Sequence, residues 1–243
     1  MADDKRIRNE IHHGEYIKEH GEEIWNWSSP AGKKRWARRC SLFIEFIGSN
    51  KRHVLEVGCG TGLFTQEIAV TDNSIVAIDI SEPLIRKARE RVSARNVNFI
   101  AGNAYKTAFK SESFDFIVGS SSLHHLDVDS ALKEFVRILK PGGRIMFTEP
   151  NMMNPQVALI KNLSFIKRWA GDSPDETAFF RWNIARKLRN FGFVEVSVEP
   201  FDFMHPSIPA SLLNVAERLT AFFEKIYIIN ELAGSLVVQG RKN

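Results

Sequence analysis

One stretch limits the possible folds more than any other. Val54-Leu55-Glu56-Val57-Gly58-Cys59-Gly60-Thr61-Gly62 runs from a short apolar segment into three glycines at alternate positions. An apolar run that ends in residues tolerant of positive φ reads as a buried strand turning sharply into a helix. At such a turn the backbone can approach a ligand closely. The first N–H groups of the following helix also lack partners of their own.

The segments after this loop keep alternating. The patterns predict strands at 53–57, 74–80, 97–101, 114–119 and 144–148. Helices are expected between them. One runs over 63–70. Another covers 83–95, with Leu84, Ile85, Ala88 and Val92 at helical spacing and Ser81 as a possible cap. A third starts near Asp127 or Asp129 and stops at Pro141-Gly142-Gly143, with Leu132, Phe135, Val136 and Leu139 on one side. Strand–helix alternation of this kind implies right-handed crossovers and a parallel sheet covered on both faces. Residues 1–50 read as a helical N-terminal segment, broken at Ser28-Ser29-Pro30-Ala31-Gly32 and followed by a helix to about Ile47. Residues 51–243 read as one α/β domain with insertions at about 150–175 and 200–230. A helix over 177–191 and strands at 193–198 and 232–240 complete it. A chain of 243 residues suffices for this.

The glycine spacing favours one ligand class. A dinucleotide fingerprint needs glycines at 58, 60 and 63, and position 63 is Leu. Here they fall at 58, 60 and 62, with an acid at 56 that can meet an ammonium group. Asp79 closes the next strand, where a carboxylate can accept from ribose hydroxyls. Alone, Asp79 reads equally well as a helix cap.

These motifs together resemble the class I S-adenosylmethionine (SAM)-dependent methyltransferases, in particular the methyltransferase-11-like subgroup. Glu56 to Gly62 is similar to their first motif. Phe114-Asp115-Phe116-Ile117-Val118-Gly119-Ser120 is similar to their fourth-strand motif. Leu123-His124-His125-Leu126 and Leu139-Lys140-Pro141-Gly142-Gly143 are similar to the turns that follow. The resemblance implies a Rossmann-like, doubly wound sheet of seven strands in the order 3-2-1-4-5-7-6, the last antiparallel. It also implies a SAM site formed by Glu56, Gly58, Cys59, Gly60, Gly62, Asp79, Ile80, Asn103, Ala104 and Ser120, with S-adenosylhomocysteine as product. Asn103 departs from the acid that family members often place there. Its amide oxygen can still accept from the adenine amino group.

For chemistry, His125 is the candidate general base, since it closes the loop after the fourth strand; His124 is the alternative. The competing reading is that His125 only orders that loop. His12, His13, His20 and His205 are expected at the surface or in a lid, and no metal site is expected. The acceptor pocket is expected between the N-terminal segment and the two insertions. Tyr16, Trp25 and Trp27 would contact the acceptor, and Met152, Met153, Phe165, Trp169, Phe201, Phe203, Met204 and His205 would add to the wall.

The acceptor itself is expected to be a small molecule methylated on oxygen, nitrogen or carbon. A SAM-binding module without catalysis, an RNA or protein methyltransferase and a nicotinamide-dependent oxidoreductase are the alternatives. The net charge of +4 speaks only weakly for nucleic acid. The basic run Lys33-Lys34-Arg35-Trp36-Ala37-Arg38-Arg39 reads first as a solvated helix face, and second as a contact to an anionic substrate. With two cysteines, no apolar run of spanning length and no leader pattern, a cytoplasmic protein is expected. Oligomeric state is open.

Overall fold

The computed structural model describes residues 4–20, 26–169, 173 and 175–243. Seven strands form one sheet: β1 (His53–Val57), β2 (Ser74–Asp79), β3 (Val97–Ala101), β4 (Phe114–Ser120), β5 (Leu139–Pro150), β6 (Phe193–Phe201) and β7 (Ser235–Lys242). Their order is β3-β2-β1-β4-β5-β7-β6. The first five pair in parallel, and β7 runs antiparallel to both β5 and β6. This is the expected Rossmann-like, doubly wound topology.

Side-chain alternation along the strands divides the core into two layers. On one face lie α2 (Pro30–Ile47), α3 (Leu63–Ile68) and α4 (Glu82–Arg91). Phe43 and Ile47 of α2 and Phe64 and Ile68 of α3 meet Val54, Ile75, Val118 and Met146 from the strands. On the other face lie α5 (Val128–Ile138) and α8 (Arg181–Asn190). Leu132, Phe135, Ile184 and Leu188 pack there against Leu55, Ile117, Ile145, Phe147 and Val238.

The segments outside this frame gather at the carboxyl edge of the parallel strands. Helix α1 (Asp4–His20) rests on the start of α4, where a Cβ on Gly14 would meet Ser81 Oγ at 2.6 Å. At its other end Arg6 donates to the carbonyls of His125 (3.2 Å) and Leu126 (2.9 Å). After β5 come α6 (Pro155–Asn162) and α7 (Ser164–Trp169). After β6 come α9 (Leu213–Phe223) and α10 (Tyr227–Asn230). Among the described residues no helix is long and apolar enough to cross a membrane.

Several boundaries differ from expectation. Helix α2 begins earlier, at Pro30, because Ser29 Oγ caps it by accepting from Gly32 N at 2.9 Å. Helix α4 ends at Arg91, with Val92 already extended. Helix α8 begins later, because Phe179 N donates to Pro150 O and Met152 N to Phe179 O, holding that segment beside the end of β5. Strand β5 takes in the whole Pro-Gly-Gly turn.

Phe135 is fully buried and stacks on Phe147 with ring centroids 5.8 Å apart. Phe135→Ala should lower unfolding stability by about 3–5 kcal/mol, read from urea titrations followed by circular dichroism.

Candidate active site

A cavity of about 530 Å³ opens at the carboxyl ends of β1, β2 and β4. Its floor is the glycine loop. Gly58 (φ 71°) lies so close to the turn after β4 that a Cβ would sit 2.7 Å from Ser122 Cβ. Gly60 also has positive φ (53°), but a Cβ there would meet nothing within 4 Å. Its side-chain position is open space, as a ligand floor requires. Cys59, Ile80, Ala104 and Ser120 line the cavity as well.

Asp79 bridges the loop and the start of α4. One carboxylate oxygen accepts from Gly60 N and the other from Ser81 N, both at 2.9 Å. Burial pushes its carboxyl up, and these two N–H groups pull it back down. A carboxylate offers about four acceptor positions, so each oxygen retains one for a ligand hydroxyl. Asn103 also lines the cavity, but its Oδ1 already accepts from Tyr105 N at 2.8 Å.

The basic run of α2 is not a solvated face. Arg39 is only 4% exposed and lines the cavity, as does Arg35. Arg39 donates to three hydroxyls: Ser121 Oγ at 2.8 Å, Ser235 Oγ at 3.2 Å and Ser120 Oγ at 3.3 Å. Among the described residues no carboxylate touches it, whereas Arg35 pairs with Asp202 at 2.7 Å and Arg38 with Glu224 at 2.9 Å. Burial, then the charge of Arg35, lowers the Arg39 pKa to about 10, so it stays charged at neutral pH. The Trp27 ring lies against both guanidinium groups, 5.2 Å from Arg39 and 5.4 Å from Arg35. Helical spacing did mark this side of α2 as polar. It could not show that the polar side faces a cavity.

The turn after β4, Leu123–His125, is drawn down by Glu149, which is 1% exposed. Its carboxylate accepts from the backbone N–H groups of Ser122 (3.2 Å), Leu123 (2.8 Å) and His124 (3.2 Å), and from His124 Nδ1 at 2.6 Å. Beyond it, α1 and the segment after α7 bring more charge. His125 Nδ1 lies 2.9 Å from Glu10 and 3.6 Å from Glu176, and Lys161 Nζ lies 2.7 Å from Glu176. Burial opposes charge on His125, but Glu176 and Glu10 outweigh it and raise its pKa to about 9. His125 is therefore an imidazolium at neutral pH and cannot accept a proton as it stands. His13, expected at the surface or in a lid, is largely buried here, with Nε2 3.8 Å from Glu176. Among the described residues, His124, His125 and Glu176 each offer one ligand atom that could meet a metal ion, all within 4.8 Å of one another.

Other expected site residues lie elsewhere. Gly62 faces Ala88 of α4, and neither it nor Glu56 lines the cavity. Trp27 lines it; Tyr16 does not; Trp25 falls outside the described residues. The N-terminal helix and both insertions reach the cavity through Ile7, Ile17, Val157, Ile160 and Pro206. Met152, Met153, Phe165, Phe201, Phe203, Met204 and His205 are not among its lining residues.

Comparison with known proteins places residues 55–147 under a methyltransferase domain model. An uncharacterized methyltransferase-like protein of Schizosaccharomyces pombe is 29% identical over 161 residues, 65% of this chain and 60% of that protein. A ubiquinone/menaquinone biosynthesis C-methyltransferase of Pasteurella multocida is 33% identical over 115 residues, 44% of this chain and 43% of that one. The chain thus spans 60% or less of these two relatives. Among solved structures, a SAM-dependent methyltransferase of Thermotoga maritima, described as a possible histamine N-methyltransferase, superposes with a TM-score of 0.67. It is 21% identical and covers 96% of this chain and 100% of its own. The [4+2]-cyclase SpnF superposes with a TM-score of 0.61 at 24% identity, covering 84% of this chain and 80% of its own. At these identities the structures speak for the fold.

Glu56 yields a prediction of its own. It is 1% exposed, neither carboxyl oxygen has a hydrogen-bond partner, and burial raises its pKa to about 8. The folded chain then holds a proton that the unfolded chain releases near pH 4.5. The resulting stability is fully present below that value and is lost as pH rises through about 8. In Glu56→Gln this slope should vanish from a series of urea unfolding curves between pH 5 and 9; an unchanged slope would place the titration elsewhere.

Proposed function

We propose, from the match of residues 55–147 to a methyltransferase domain model, that the protein transfers the methyl group of SAM to a small-molecule acceptor at oxygen, nitrogen or carbon. One observation carries this reading. A single cavity holds Asp79 over an open glycine floor and, beside Ser120, a buried guanidinium with no acid partner among the described residues. SAM has the matching ends. Its ribose hydroxyls suit the free acceptor positions of Asp79, and its carboxylate suits Arg39, which can grip it with two N–H groups. Adenine would lie along Ile80, Asn103 and Ala104. The Asn103 oxygen keeps one lone pair for the adenine amino group.

The reaction needs little from the protein beyond alignment. The acceptor atom forms a bond to the methyl carbon, the carbon–sulfur bond breaks, and its electron pair stays on sulfur to give S-adenosylhomocysteine. Holding the acceptor in line supplies much of the rate. The apolar residues of α1, α6 and Trp27 would hold the acceptor's body and keep water out. A hydroxyl or ammonium acceptor must also lose a proton. His125 stands where that proton would leave, provided that ligand binding alters its pairing with Glu10 and Glu176.

Calorimetry with SAM, S-adenosylhomocysteine and NAD tests the ligand, and labelled SAM with fractionated metabolites tests turnover. The proposal expects binding of the first two and labelled product. NAD binding alone would overturn it. SAM binding with no S-adenosylhomocysteine formed from any fraction would leave a binding protein or another reaction on the same frame, such as that of the [4+2]-cyclase. Asp79→Ala should weaken SAM binding by about 1–3 kcal/mol. Arg39→Met should weaken it by a similar amount while leaving 5′-methylthioadenosine, which has no carboxylate, unaffected. His125→Ala should lower the transfer rate by about 10²-fold with little change in SAM affinity. A rate loss that only tracks lost folding would leave His125 a structural residue.

A further inference from the structure

We propose that His124, His125 and Glu176 bind a divalent first-row transition-metal ion at the acceptor end of the cavity. Only the ion's use rests on the transferase reading; its binding does not.

The argument starts at His124, which is 5% exposed. Its Nδ1 faces Glu149 Oε2 at 2.6 Å. Glu149 already accepts three backbone N–H groups, so it stands there as an acceptor and His124 Nδ1 must donate. The ring's lone pair is therefore on Nε2. That atom makes no hydrogen bond among the described residues and lies 3.8 Å from Glu176 Oε2. Two acceptors facing each other in a buried site call for a cation beside them; the Lys161 ammonium, 2.7 Å from Glu176 Oε2, takes that part in the metal-free protein. His125 Nδ1 points into the same space, and an incoming ion must displace its proton to bind there. That nitrogen lies 3.6 Å from Glu176 Oε1 and 2.9 Å from Glu10 Oε2, yet has no aligned hydrogen bond.

The donor set selects the ion. Two imidazoles with one carboxylate, and Glu10 within reach as a second, suit Zn(II), Fe(II), Mn(II), Co(II) or Ni(II) better than Mg(II) or Ca(II). With bonds near 2.1 Å, tetrahedral ligands sit about 3.4 Å apart. The imidazole–Glu176 gaps are 3.6 Å to Oε1 and 3.8 Å to Oε2, and the three ligand atoms lie within 4.8 Å of one another, so side-chain rotation must draw them in around an ion. The Glu149–His124 contact is the outer-shell arrangement that orients a metal-binding imidazole. Lys161 is the competitor, because its ammonium holds Glu176 Oε2 at 2.7 Å.

The acceptor class follows from this chemistry. Three protein ligands leave coordination positions for an oxygen of the acceptor, and a bound cation lowers the pKa of a hydroxyl. The acceptor would then be a phenol, enol or hydroxy-carbonyl compound. With His125 holding the ion, the hydroxyl proton would pass to solvent rather than to His125, and the oxygen would take the methyl group.

The test needs no acceptor. Protein stripped with a chelator is titrated with Co(II), then Zn(II), by calorimetry and visible absorption in the absence of SAM. One equivalent of Co(II) should bind with d–d bands of nitrogen–oxygen ligation, and Zn(II) should displace it. His124→Ala and Glu176→Gln should each weaken binding at least 100-fold, and Glu149→Gln by about 10–100-fold. Lys161→Met should tighten it. Thermal unfolding and SAM calorimetry check that each variant folds; if Glu176→Gln does not fold, His125→Asn takes its place. Absence of stoichiometric binding by the wild type would overturn the proposal, as would equal binding by the ligand variants. SAM affinity is read separately, so either proposal can fail alone.

Discussion

A single carboxylate organises the centre of this molecule. Glu149, at the end of β5, draws three consecutive backbone N–H groups and one imidazole onto two oxygens in a site closed to water. Consecutive amides converge on one point only if the chain curls tightly, so the turn after β4 has no freedom to relax. Its position sets two further ones. It presses Ser122 against Gly58, which must therefore lack a side chain, and it lifts His125 toward α1. An uncharged or shorter side chain at 149 would leave buried N–H groups unpaired, each a penalty comparable to a whole core contact.

Around that centre the cavity is polarised. Arg39, buried among hydroxyls, makes one wall cationic. The opposite wall, where α1 meets the segment after α7, carries Glu10 and Glu176 with His13, His124, His125 and Lys161 among them. A zwitterionic ligand with a carboxylate at one end, and a reacting partner at the other, finds complementary charge at both. On the floor between them Gly58 and Gly60 contribute no side chains.

The parts of this arrangement that sequence reasoning reached are those built from neighbours in the chain. Strand–helix alternation, the glycine loop and the acid at the end of β2 are local patterns with local causes, and each lies where its pattern placed it. Arg39 was misplaced because helical spacing separates polar from apolar sides but does not say whether the polar side meets solvent or a hollow. Asn103 was read for its free amide, yet its own backbone two residues on takes that oxygen first. The cluster around His125 was beyond reach for a different reason. Its members at 10, 13, 125, 149 and 176 are joined only through the fold, and no spacing relates them.

That long-range joining has a consequence for the order in which the protein is made. Helix α1 is synthesised early, yet the groups that hold it down, His125, Ser173 and Asp175, follow by 115 to 166 positions. At ordinary elongation rates of about 5–20 residues per second they emerge about 6–33 s later. Through that interval the glycine floor and β2 can already be assembled while the cleft above them has no cover. The chain thus passes through a stage in which the opening that helix α1 will cover is still open.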